Sequence, residues 1–180
     1  MQYRDAGRAT MDKVLGSNRS VFICTGGEAE SLATATGEDK VVLEGRYGFV
    51  RLALSWGCPL VPVYGVGVTD LYTTYSFAAS TRRWLSKTAH IALPLFTGRW
   101  WSPIPHKVPV KVLVGKPIEV PTPKVKGLVQ GWSGESKRRG DPKVPSEALV
   151  KEFHEKYVKA LTELYDAHSG KKGQLQIIAS

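Results

Sequence analysis

The longest charge-free stretch of the chain, Leu52 to Thr69, narrows what it can fold into more than any other feature. It is 18 residues long, the length at which a helix can begin to span a bilayer, yet Gly57, Pro59, Pro62, Gly65 and Gly67 punctuate it. Proline removes a backbone donor and glycine loosens the backbone, so the run reads as the end of a helix followed by a strand, not as a membrane span. Phe49, Leu52, Ala53 and Trp56 recur at helical spacing, which predicts a helix over Arg46–Trp56 with Gly57 as its stop. Leu60-Val61-Pro62-Val63-Tyr64 is then expected as a strand, with Pro62 marking a sheet edge or a bulge.

The rest of the chain supplies the partners. An amphipathic helix is expected over residues 5–16, ending at Gly16-Ser17-Asn18, and a buried strand over Ser20–Cys24, closed abruptly by Thr25-Gly26-Gly27. Thr36 to Asp39 reads as a turn, Lys40 to Leu43 as an extended piece, and Val108 to Val114 as a strand that turns at Gly115-Lys116-Pro117 into Ile118-Glu119-Val120. Strand, turn, helix and strand in succession imply an α/β layer with at least one parallel crossover. Residues 1–120 are expected to form that core. Residues 121–146, rich in Pro and Gly and carrying Lys137-Arg138-Arg139, are expected to be a basic loop. A last helix, Ala148–His168, places Leu149, Phe153, Tyr157, Leu161, Leu164 and Tyr165 on one stripe within a packing element at 147–170, and 171–180 is expected to be a tail.

Charge narrows the partners. Against 16 acidic residues stand 25 Lys and Arg, a formal net charge of +9, which suits an anionic partner: nucleic acid, a phospholipid surface or a phosphate-bearing cosubstrate. Nucleic acid is disfavoured because the basic cluster at 137–143 has no interleaved aromatics. Cys24 and Cys58 are too few for a disulfide framework; both are expected as small core hydrophobes in a reducing compartment. The N-terminal MQYRDAGRATMDKV does not read as a secretory signal. From Phe77 to Trp101, Trp84, Trp100 and Trp101 lie among Arg82, Arg83, Lys87 and Arg99. Two readings stay open there: a membrane interface, or rings that complete a core.

Chemistry is sparse. An activating His followed five residues later by Asp is absent, because His90, His106, His154 and His168 are followed at that spacing by Leu95, Lys111, Lys159 and Gly173. His106, in a Pro-rich turn, is the better functional candidate; His154 and His168 read as surface or satisfied histidines. No metal-ligand spacing, nucleophile elbow or P-loop occurs, so neither a metal nor a resident cofactor is expected. Gly26-Gly27 lets backbone approach a ligand closely. Glu28 and Glu30 after it are the best-placed acids, able to accept a proton or to hydrogen-bond a hydroxyl, with solvated loop carboxylates as the competing reading.

Thr25-Gly26-Gly27-Glu28-Ala29-Glu30-Ser31-Leu32 resembles the Gly-Gly-x-Ala-Glu-Ser segment of the diacylglycerol acyltransferase type 2 family, which also holds monoacylglycerol and wax-alcohol acyltransferases. Arg46-Tyr47-Gly48-Phe49-Val50-Arg51-Leu52-Ala53 is similar to that family's Arg-Lys-Gly-Phe-Val-Lys-Leu-Ala, and Leu60 to Tyr64 to its Leu-Val-Pro-x-Tyr. Phe96 to Arg99, Ile104 to Pro109, Val114 to Ile118 and the stretch from His154 to His168 continue the likeness. The resemblance implies a glycerolipid-acyltransferase-like mixed sheet flanked by helices, an acyl-CoA cosubstrate, and a neutral acylglycerol or long-chain alcohol as acceptor. It also implies a membrane surface at the cytosolic face of the endoplasmic reticulum and leaves the oligomeric state open. Substrate contacts are expected from Gly26, Gly27, Glu28, Glu30, Ser31, Arg46, Gly48, Phe49, Pro62, Asp70 and His106.

There are departures. The family's His-Pro-His-Gly, with its presumed catalytic histidine, and its membrane-embedding segment lie upstream of the Gly-Gly segment and are not among these 180 residues, so no catalytic residue is expected in this chain. Where the family reads Phe-Gly-Glu-Asn, this chain reads Val66-Gly67-Val68-Thr69 and keeps only Asp70 as an acid. Glu30 stands where the wider glycerolipid superfamily places a phosphate-pairing Arg, which implies an uncharged acceptor. The acyl-CoA phosphates could then be met by Arg46, Arg51 or the cluster at 137–139. The alternative expectation is a non-catalytic, membrane- or lipid-binding relative of the same fold.

Overall fold

Every turn of the central helix meets apolar residues, and the first of two units forms around it. The computed structural model describes residues 7–75, 96–121, 145–170 and 173–179. Its first unit comprises Met1–Cys24, Tyr47–Leu60 and Pro117–Lys156; the second comprises Thr25–Arg46, Val61–Lys116 and Tyr157–Ser180.

In the first unit, α1 spans Arg8–Gly16 and α3 spans Gly48–Trp56, with Gly57 left-handed at φ 62° as the sequence predicts for the helix stop. Val50, Leu52, Ala53, Leu54 and Trp56 are all buried, so α3 is apolar on more than one face. One side packs Leu52 and Trp56 against Leu15 of α1, with Met11, Val21, Ile23 and Cys58 around them. The other packs Val50 and Leu54 against Val120, Val150 and Phe153. Burying each such side chain contributes roughly 1.5–3 kcal/mol. Trp56 keeps its indole N–H satisfied by donating to Asp12 Oδ1 at 2.7 Å, and Asp12 is also paired with Arg8 at 3.2 Å. Val150 and Phe153 come from α4, Glu147–His168, whose Arg51–Glu147 ion pair of 2.7 Å lies at its first turn.

The second unit holds α2, Gly27–Ala33, and the strands. β1, Lys40–Glu44, pairs parallel with β6, Gln176–Ala179, which forms within the stretch read as a tail. β2, Val63–Val66, pairs antiparallel with β5, Lys111–Val114, and β3, Thr73–Thr74, with β4, Phe96–Thr97. The mixture of helix and strand is α/β in the coarse sense. Among the described residues the strands form three two-stranded pairings and do not merge into one sheet. Tyr157, Leu161 and Tyr165 of α4 are buried, as the expected stripe requires, together with Val41, Val42 and Leu43 of β1.

Several expectations are corrected. Ser20–Cys24 is not a strand: Val21 and Ile23 pack inward while Phe22 is 68% exposed, an alternation with no ladder partner among the described residues. Cys24 is exposed and Cys58 half-buried, so Cys24 is not a core residue. The strand expected over Leu60–Tyr64 is interrupted: Leu60 bridges Ile118, and regular pairing resumes only at Val63, because Pro62 has no N–H to donate. Pairing at 108–114 is confined to Lys111–Val114, after Pro109. Trp100 and Trp101 are exposed and complete no core; Trp84 and the Lys137-Arg138-Arg139 cluster lie outside the described residues.

Two substitutions test this packing. Leu54→Ala, in the fully packed cluster, is expected to lower unfolding free energy by about 2–5 kcal/mol in a urea titration, whereas Phe22→Ser stays within about 0.5 kcal/mol of the parent. Equal losses at the two positions would contradict the assignment of Phe22 to the surface.

Candidate functional site

At the Thr25-Gly26-Gly27 turn the chain folds a carboxylate back on itself. Gly27 adopts φ 54° and opens α2. Gly26 is buried, and a Cβ there would overlap the Glu30 carboxylate, so the sequence requires glycine at this point. Glu30 Oε2 in turn accepts the backbone N–H of Val42 at 3.2 Å, fastening the turn to β1. Ser31 is exposed, its hydroxyl directed to the Gly27 carbonyl at 3.4 Å. Glu28 lies in the first turn of α2; its side chain is outside the described residues.

The same unit holds a buried polar group that sequence reading missed. Asp39 is only 4% exposed, and each of its carboxylate oxygens accepts a tyrosine hydroxyl: Tyr64 at 2.9 Å and Tyr165 at 2.7 Å. The two rings meet edge-on at 5.2 Å. Burial first, then the hydrogen bond to Asp39, pushes the Tyr165 phenol up to about 12 and that of Tyr64 well above its ordinary range. Tyr157 is raised as well, by burial and then by the charge of Glu30. Tyr64 and Tyr165 lie 25 and 126 residues from Asp39 along the chain. Both fall in motifs that carry the family likeness, the only signal that could have drawn attention to them.

The other expected residues divide between the units. Arg46 follows β1, its N–H donating to Leu43 O at 3.0 Å, and its Nε is buried with no hydrogen-bond partner among the described residues. Pro62 is fully buried and its carbonyl accepts the Gly115 N–H at 2.8 Å. Asp70 closes a short 3-10 turn, Val68–Asp70, after Gly67, whose φ of 82° and close approach to the Pro109 carbonyl exclude a side chain. The Nε2 of His106 shares a hydrogen bond with the Thr73 hydroxyl at 3.2 Å, and its backbone N–H donates to Leu71 O at 2.8 Å. These belong to the second unit. Gly48 and Phe49 belong to the first, Gly48 exposed at the start of α3 and Phe49 packed against the Val50 cluster. His154 is buried there against Tyr47, with ring centroids 4.7 Å apart.

A cleft of about 340 Å³ opens beside Asp39, lined by Gly37, Glu38, Asp39, Gly173, Gln174 and Gln176. None of the residues expected to contact substrate lines it. Among the described residues no three His, Cys, Asp or Glu side chains are placed to hold a metal ion, and no helix is long and apolar enough to cross a membrane.

What the arrangement offers chemically is a tight turn carrying a carboxylate and, just past the end of β1, a guanidinium with one donor unmet among the described residues. A general base with an orienting acid is not part of it. Comparison with known proteins completes the picture. A family model described as diacylglycerol acyltransferase matches residues 2–127. The chain is 33% identical over 179 residues to acyl-CoA wax alcohol acyltransferase 2 of Homo sapiens, covering 92% of this chain and 48% of that protein. It is 32% identical over 180 residues to diacylglycerol O-acyltransferase 2 of Homo sapiens, covering 92% and 42%. It is 32% identical over 163 residues to diacylglycerol O-acyltransferase 2A of Umbelopsis ramanniana, covering 85% and 41%. The chain spans about half the length of the curated relatives it matches. No solved structure matches it.

The buried tyrosine pair gives a pH-dependent prediction. Tyr165 ionises near 10 when exposed and at about 12 in the fold, so its stabilisation is complete below pH 10 and is lost as pH rises through about 12. Tyr165→Phe, which removes a hydrogen bond to a buried charge, should cost about 1.5–3 kcal/mol at neutral pH. The gap between parent and variant should then close between pH 10 and 12 in chemical denaturation. A gap independent of pH in that interval would contradict the assignment.

Proposed function

Because the chain belongs to the diacylglycerol acyltransferase family, we propose that it forms part of an O-acyltransferase that moves a fatty acyl group from acyl-CoA to a neutral acylglycerol or long-chain alcohol. The observation that carries this reading is the likeness at about a third identity over 92% of the chain to relatives named for those two acceptor types. The same reading carries the finer fold, a glycerolipid-acyltransferase-like mixed sheet to which the three strand pairs contribute, and a site of action at the cytosolic face of the endoplasmic reticulum membrane.

The residues of the second unit support roles in binding. Beside Gly27 nothing lies within 4 Å of where a Cβ would stand, which leaves room for a ligand against the backbone, and the carboxylate of Glu30 folded over Gly26 disfavours an acceptor that carries phosphate. Arg46, with a buried donor that nothing among the described residues satisfies, suits a phosphate oxygen of the CoA moiety. In the full reaction a base takes the proton from the acceptor hydroxyl, whose oxygen attacks the thioester carbonyl. Backbone donors hold the oxyanion until the tetrahedral intermediate collapses to the ester and releases CoA as the thiol. The 180 residues contain no His-Pro-His-Gly, and in this reading that base is not one of their side chains. The chain contributes the walls.

The test uses the 180-residue chain with labelled acyl-CoA and either diacylglycerol or a long-chain alcohol. Saturable acyl-CoA binding is expected, weakened about tenfold by Arg46→Gln through loss of one charge-assisted contact, with transfer close to a boiled control. Binding untouched by Arg46→Gln would remove that residue from the site. Rapid turnover by the chain alone would overturn the assignment of the base to residues outside it.

A further inference from the structure

We infer that the turn Arg99–Trp101 is a lipid-docking tip, with Trp100 and Trp101 seated in the headgroup layer of a phospholipid surface and Arg99 meeting its phosphates. This deepens the membrane-surface part of the reading above and rests on it only for the class of partner.

The two indoles are the most exposed large hydrophobic side chains among the described residues, Trp100 at 74% and Trp101 at 83%. Their backbone holds them out. Both adopt the left-handed region, φ 56° and 59°, which residues with a Cβ enter only at a cost. The turn is pinned by three hydrogen bonds, in which the N–H of Gly98 donates to Ser102 O at 2.8 Å, that of Arg99 to Ile104 O at 2.7 Å and that of Ser102 to Arg99 O at 3.1 Å. Gly98 admits no side chain, since a Cβ there would overlap the Ile104 carbonyl. A pinned and strained turn that directs two large apolar rings into water gains nothing from folding; its purpose lies with whatever covers the rings.

The neighbouring charges say what that is. The Arg99 guanidinium lies 4.2 Å from the centroid of the Trp100 ring, so cation and indole reach the same depth together. Indole, an apolar ring with one N–H donor, favours the headgroup layer, and the guanidinium beside it matches lipid phosphate. Ile104, exposed at 51%, adds an aliphatic side chain, and the exposed Lys107 a second cation a few residues on. With a chain net charge of +9, the complementary partner is an anionic lipid surface.

The experiment is sedimentation of the full chain with phosphatidylcholine vesicles containing about one-fifth phosphatidylserine, without acyl-CoA or acceptor, so docking and acyl transfer fail separately. The parent is expected to bind, and Trp100→Ala with Trp101→Ala to lower the partition coefficient at least about tenfold. Trp101→Ala alone should lower it about threefold, and Arg99→Gln about fivefold on the anionic vesicles only. Circular dichroism and thermal melting identify any variant that fails to fold, in which case the remaining variants decide the matter. Absence of parent binding, or equal binding by the folded tryptophan variants, would overturn the proposal. So would a parent dimer that the tryptophan substitutions convert to monomer.

Discussion

A buried carboxylate that two tyrosines hold from different parts of the chain is the interaction on which the second unit depends. Asp39 stands just before β1; Tyr64 reaches it from β2 and Tyr165 from α4, while its own carbonyl accepts the N–H of Gln176 at the start of β6. An ionised group moved out of water carries a penalty of several kcal/mol unless its oxygens are met, and here both are. A strand pair is marginal by itself. β1–β6 and β2–β5 are such pairs, and Asp39 links them to each other and to the buried face of α4.

This dependence explains which parts of the fold were legible in the sequence. The helices were, because a 3.6-residue period is local: α1, α3 with its Gly57 stop, and α4 with Phe153, Tyr157, Leu161 and Tyr165 all emerge close to where apolar spacing puts them. Strands were less so, because a strand needs a partner that the segment does not name. Ser20–Cys24 has strand composition and alternating burial, yet no ladder among the described residues. The closing residues read as a tail and form β6, since Val41 and Val42 present the partner edge 136 residues earlier in the parallel register with Ile177 and Ile178.

Of the candidate site, the turn was legible and its internal wiring was not. Gly26-Gly27 stood out by composition and Glu30 by position, but that Glu30 folds over Gly26 to accept the Val42 N–H depends on how α2 approaches β1. Asp39 read as an ordinary turn acid. Glu30 meets β1 at its central residue, Val42, and Arg46, just past the strand's end, carries a buried donor with no partner among the described residues, while the indoles of the 99–101 turn are exposed. Family membership is what these features share: the diacylglycerol acyltransferase model matches residues 2–127, a span that holds the Gly-Gly turn, Glu30, Arg46 and the 99–101 turn.

In the proposed enzyme the segment from the Gly-Gly turn to Arg46 faces the acyl donor. Photolabelling with a diazirine-bearing fatty acyl-CoA, followed by peptide mapping, tests it most directly. The account predicts label in peptides spanning residues 25–46, suppressed by excess unlabelled acyl-CoA. Competable label confined to other peptides, with none in that span, would contradict it.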